Sequence, residues 1–209
     1  MRWFVYNLLF AAGYLLMMPR FLFRMWRRGG YRRDFMQRFG VYRPELIRTI
    51  QAMPRIWIHA VSVGEMYVAL AFLQELRRRM PGMGFVVTTN TSTAHRVAEE
   101  KLDANDVLLY FPVDFPWFVG RVVSVIRPRA VLLTECELWP NLLRRLSAER
   151  IPAILINGRI SESSYRGYRL IRWFIAPVLR GLPLLFAQSE EDGLRLRELG
   201  ADPAAVKVT

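Results

Sequence analysis

Residues 55–60, RIWIHA, run through VSVG at 61–64 into EMYVALAFLQELRRRM at 65–80, and this passage sets the fold. The first run is apolar, rich in β-branched and aromatic side chains, and too short for a helix, so it reads as a buried strand. The second carries Val68, Leu70, Phe72, Leu73 and Leu76 at helical spacing, and Pro81-Gly82 stops it. The same alternation continues outward. Strands are expected at 84–89 (GFVVTT), 107–111 (VLLYF), 130–134 (AVLLT), 152–157 (PAILIN), 184–188 (LLFAQ) and 206–208. Between them fall helices at 94–102, at 140–150, around 165–179, and from a Ser189 cap to Gly200. Asp114 is expected to cap a further helix, with Pro116 in its first turn and Pro128 beyond its end. Nearly continuous apolar strands alternating with helices imply a doubly wound, mostly parallel α/β sheet covered on both faces. Its ligands belong outside the carboxyl ends of the strands.

Composition bounds the rest. A chain of 209 residues, 53% hydrophobic and 23% charged, suits one core-forming domain with an appendage, and excludes a disordered tail or a many-span membrane protein. The lone Cys136 excludes a disulfide scaffold, and His59 and His95, the two histidines, leave no zinc spacing. The net charge of +12 is uneven: residues 1–50 hold ten arginines against Asp34 and Glu45. Beside those arginines, residues 3–18 (WFVYNLLFAAGYLLMM) carry no charge before Pro19 and Arg20 interrupt them. As a helix this run spans about 24 Å, short of a ~30 Å hydrocarbon core. A signal peptide fits poorly, since Arg2 alone makes the basic n-region and no small-residue cleavage site follows. A membrane anchor or an in-plane helix is expected instead, with its arginine flank on the cytoplasmic side. Nucleic acid would not need that greasy run. Two regions follow: 1–50, membrane-associated, and 51–209, the α/β domain.

Four polar clusters stand at strand exits. Ser62-Val63-Gly64-Glu65 has the spacing of a capping box, yet Gly64 also permits close ligand approach and Glu65 suits a general base. Residues 88–93 (TTNTST) place hydroxyl and amide groups at a helix start, suited to sugar hydroxyls or phosphates. Glu135 and Glu137 leave the strand AVLLT together, which is costly unless cations or donors compensate them. Arg159, after Asn157-Gly158, can meet an acidic ligand or pair with one of those glutamates. No dinucleotide fingerprint, P-loop or nucleophile elbow is present, and Cys136 between two carboxylates lacks the surroundings of a reactive thiol.

Taken in order, WIHAVSVGE, VTTNTSTA, TECELWPN, INGRISESSYRGY and FAQSEEDGLRLRELGA resemble the N-terminal half of bacterial 3-deoxy-D-manno-octulosonic acid (Kdo) transferases. The resemblance implies the Rossmann-like half of a two-domain GT-B glycosyltransferase, without metal or cofactor. It would work at the cytoplasmic face of the inner membrane, moving Kdo from CMP-Kdo to the lipid A precursor, lipid IVA. By the same resemblance Glu65 is the catalytic base, and Glu135 contacts the acceptor or stabilises the transition state. Gly64, Thr88, Thr91, Thr93, Glu137 and Arg159 fall to acceptor binding. The family's donor-binding domain lies beyond the point where this sequence stops, so the 209 residues alone are expected to be inactive. A non-catalytic membrane-surface module that binds anionic glycolipid is the alternative. Nucleic acid is not an expected partner.

Overall fold

The computed structural model describes residues 2–28 and 34–209, which divide into two compact units, 1–35 and 36–209. In the first unit, helix α1 (Arg2–Arg28) includes Pro19 without ending there. It exposes Phe4, Leu8, Leu9, Leu15, Leu16, Met17 and Phe23. Among the described residues no helix is long and apolar enough to cross a membrane.

The second unit holds a single sheet of seven strands: β1 (Arg55–His59), β2 (Gly84–Thr89), β3 (Val107–Tyr110), β4 (Ala130–Thr134), β5 (Ala153–Gly158), β6 (Leu184–Ala187) and β7 (Val206–Val208). Every pairing is parallel, in the order β3-β2-β1-β4-β5-β6-β7. The helices are α2 (Pro44–Gln51), α3 (Val63–Arg79), α4 (Ser92–Glu99), α5 (Pro116–Ile126), α6 (Pro140–Ala148), α7 (Glu162–Leu170), α8 (Arg172–Arg180) and α9 (Glu190–Leu199). The doubly wound expectation is met, and the winding reverses between β1 and β4, where His59 pairs with Leu133. At such a reversal the loops leaving the two central strands diverge and open a crevice.

Apolar strands buried on both faces anchor this arrangement. Trp57, Ile58, Phe85, Leu109, Leu133 and Leu155 are fully buried. Arg55 opens β1 from inside the core, where its guanidinium donates to the carbonyls of Ile50, Phe85, Asn105 and Thr49, which satisfies a cation that burial would otherwise penalise.

Two local expectations are corrected. Asp114 does not cap α5, whose N-cap is Phe115 without a side-chain bond. Its buried carboxylate accepts the Asn141 and Leu142 amides at 2.9 Å each, and so caps α6, a helix 27 residues further along. Pro116 needs no amide partner at the start of α5, which frees the carboxylate for α6. The expected helix around 165–179 is two helices that break at Ile171. No residue of α7 is buried, whereas α8 buries Phe174, Ile175, Ala176, Val178 and Leu179. One straight helix could not serve both surfaces.

Candidate active site

The crevice at the sheet reversal is built from three loops. The first leaves β1 and turns into α3, where the capping box is complete. Ser62 Oγ accepts the Glu65 amide at 3.2 Å, and Glu65 Oε1 accepts the Ser62 amide at 3.1 Å. Glu65 Oε2 lies 2.9 Å from the Val61 amide and 2.9 Å from Thr134 Oγ1. The Thr134 hydroxyl also stands 2.9 Å from the His59 carbonyl, so it bridges the ends of β4 and β1. Glu65 is therefore buried, 5% exposed, with the Val61 and Ser62 amides donating to its carboxylate and the Thr134 hydroxyl, whose one proton the His59 carbonyl also competes for, beside it. A carboxylate offers about four acceptor positions, which leaves one on Oε1.

The second loop follows β4. Glu135 adopts φ 51°, a left-handed conformation that costs a non-glycine residue about 1 kcal/mol, and its amide donates to Ile156 O at 3.0 Å. Asn157, at the exit of β5, does the same with φ 53°. The third loop carries Arg159 and is pinned by α9: buried Asp192 accepts the Ile160 amide at 2.7 Å, and Arg195 donates to Ile160 O at 2.6 Å. Between the second and third loops lies a cavity of about 320 Å³ lined by Glu135, Cys136, Glu137, Arg159, Ser161, Ser164 and Tyr168. A larger hollow of about 720 Å³, bordered by Pro54, Arg129 and Ile151, lies at the opposite edge, where β1, β4 and β5 begin.

Three carboxylates thus share one strand-exit region, and they feel one another. Burial, then Glu65 and Glu135, push Glu137 up to about 7. Burial and Glu65 also raise Glu135, with Arg159 offsetting part of the effect. Burial and the adjoining acids push the Cys136 thiol up to about 12, so it stays protonated. His59, sealed at the end of β1 against the Phe111 ring, is driven down to about 3 by burial and is neutral.

The expected site residues separate into groups. Glu135, Glu137 and Arg159 line the cavity, and Glu65 stands behind them within electrostatic range. Gly64 is exposed in the first turn of α3, and a Cβ there would meet only Ser62 Oγ at 3.9 Å. The protein's own packing does not require that glycine. Thr91 caps α4 through the Ala94 amide and donates to Val61 O at 3.0 Å, tying the β2 loop to the β1 loop. Thr93 is exposed beside it, 3.4 Å from the Thr91 hydroxyl. Thr88 is fully buried, and its hydroxyl accepts Trp57 Nε1 at 2.8 Å. It supports the loop from beneath. Thr134 and Tyr168 carry no signal in the sequence. A threonine closing an apolar strand looks like any β-former, and Tyr168 depends on where α7 is placed.

Residues 33–209 match the family described as 3-deoxy-D-manno-octulosonic-acid transferase (kdotransferase). The chain belongs to the kdotransferase family. A kdotransferase of Haemophilus influenzae is 28% identical over 179 residues, covering 86% of this chain and 41% of that protein. One from Bordetella pertussis is 35% identical over 156 residues, covering 72% of this chain and 36% of its own length. The chain thus spans less than half the length of these kdotransferases. Among solved structures, the S. aureus MnaA–UDP co-structure superposes with a TM-score of 0.53 at 14% identity, over 75% of this chain and 45% of that one. At that identity the likeness establishes the fold, the Rossmann-like half of a GT-B architecture.

Proposed function

We propose that this chain is the acceptor-binding, base-carrying domain of an inverting glycosyltransferase that moves Kdo from CMP-Kdo to the lipid A precursor, lipid IVA, at the cytoplasmic face of the inner membrane. The observation that carries the reading is that Glu135, Glu137 and Arg159 line one cavity at the exits of β4 and β5, with Glu65 of the adjoining β1 exit within electrostatic range. In this reaction an acceptor hydroxyl attacks the anomeric carbon of Kdo. A C–O bond forms, the bond to the CMP phosphate breaks, and CMP departs with that electron pair. The hydroxyl proton goes to the carboxylate of Glu65, through its remaining Oε1 position. Glu135 and Glu137 bind acceptor hydroxyls, and Arg159 meets acceptor phosphate. Gly64, Thr91 and Thr93 border the acceptor on the β1 side. The CMP-Kdo donor falls to the second domain of the GT-B architecture. Helix α1 and its arginine flank keep the domain at the membrane.

The completed capping box supports a second reading, in which Glu65 serves its helix alone and the domain is a non-catalytic module for anionic glycolipid. One experiment separates the proposed function from both failure and alternative. The purified chain is titrated with lipid IVA and with CMP-Kdo, and binding is followed by native mass spectrometry. Binding of lipid IVA without CMP-Kdo, weakened at least tenfold in Glu135→Gln/Glu137→Gln, supports the transferase domain. Binding that is indifferent to those two substitutions but lost in Arg159→Ala supports the module. CMP-Kdo binding without lipid IVA overturns both.

A further inference from the structure

We propose that the corner between α7 and α8 is a second membrane-contact surface, which seats the α/β domain on an anionic lipid bilayer independently of α1. Leu170 is 84% exposed, Ile171 41% and Trp173 60%, three large apolar side chains within four consecutive residues. The break at Ile171 is what presents them, because α8 turns its apolar side onto the core and leaves the corner uncovered.

The surrounding charge selects the occupant. Residues 165–180 contain Arg166, Arg169, Arg172 and Arg180 and no acidic residue. Arg166, Arg169 and Arg172 are all exposed around the apolar corner. Arg166 pairs at 2.9 Å with Glu162, the acid that opens the same helix, and Arg172 donates to the backbone carbonyl of Glu198. Arg169 lies over the Tyr165 ring, itself bonded to Glu198. An apolar wedge with a tryptophan and a collar of arginines matches the acyl–headgroup boundary, where apolar groups enter and guanidinium groups meet phosphate. Helix α1 repeats this chemistry elsewhere in the chain, with exposed Leu15, Leu16 and Met17 followed by arginines in the sequence. Two such surfaces in one chain favour lipid over a protein partner.

The corner also adjoins the candidate site. Tyr168 lines the carboxylate cavity and stands two residues before Leu170 in the same helix. This inference goes beyond the proposed reaction and does not depend on it.

The test reads the corner directly, so that binding through α1 does not confuse it. In the full chain carrying Cys136→Ser, an environment-sensitive fluorophore is attached at Leu170→Cys, or at Glu75→Cys, a half-buried position on α3, as a control. Labelled protein is mixed with phosphatidylglycerol or phosphatidylcholine vesicles and bound protein is recovered by sedimentation. Expected is a blue shift at position 170 on phosphatidylglycerol vesicles, little on phosphatidylcholine, and none at position 75. Each of Arg166→Gln, Arg169→Gln and Arg172→Gln should weaken it about fivefold, the equivalent of about 1 kcal/mol. Vesicle-bound protein whose residue-170 label remains water-exposed overturns the proposal, as does absence of vesicle binding. A shift already present without vesicles and growing with protein concentration overturns it in favour of a second copy of the chain.

Discussion

Thr134 Oγ1 lies 2.9 Å from Glu65 Oε2 and joins the last residue of β4 to the first turn of α3 across the sheet reversal. That contact holds the proposed base in place from the side of the strand that supplies Glu135. In an enzyme active with CMP-Kdo, Glu65→Gln should lower kcat by about 100-fold or more. The fold should survive, because glutamine also completes a capping box. Thr134→Val should lower kcat about tenfold with little change in KM. Steady-state assays beside thermal melts check both, and full activity in Glu65→Gln removes it from the mechanism.

Glu137 gives the domain a pH signature. Its carboxyl rises from an unfolded value of 4.5 to about 7 in the folded chain, so the native state holds a proton the unfolded state has released. Stability contributed by this group is therefore present below 4.5 and is lost as pH climbs to 7. Glu137→Gln should melt higher than wild type at pH 8, by about 3 °C for each 1 kcal/mol relieved, and the two should converge near pH 4.5. Melting curves across that range test it. An equal difference at every pH would mean that ionisation is not the cause.

Asp114 is the long-range cap of α6. Asp114→Ala strips acceptors from the Asn141 and Leu142 amides inside the protein, and should cost about 2–3 kcal/mol. Urea unfolding measures it. A loss below about 0.5 kcal/mol would show that water replaces the carboxylate there.

Arg55 depends on its fork. Lysine keeps the charge but cannot reach the carbonyls of Ile50, Thr49, Phe85 and Asn105 at once. Arg55→Lys should lose about 2–4 kcal/mol in the same experiment. Wild-type stability in Arg55→Lys would reduce the residue's role to its charge.

Much of this protein is legible in one dimension. Strands such as RIWIHA and GFVVTT announce themselves because both faces are buried, which forces nearly unbroken apolar runs. Ser62 and Ser189 cap the helices the sequence assigns them, since a cap bonds an amide only two or three residues away. Glu65, Glu135, Glu137 and Arg159 are visible as polar interruptions at strand ends for the same local reason.

What the sequence determined alone was the alternation of elements and the list of polar strand exits, both set by interactions within a few residues. Tertiary structure decided which exits meet. The sheet order put the end of β1 beside β4, brought Thr134 to Glu65 and turned Asp114 from a neighbouring cap into a distant one. It also set the exposure of Leu170 and Trp173, because only the packing of α8 reveals that α7 has no core to cover. Such contacts join residues far apart along the chain, and no local periodicity encodes them.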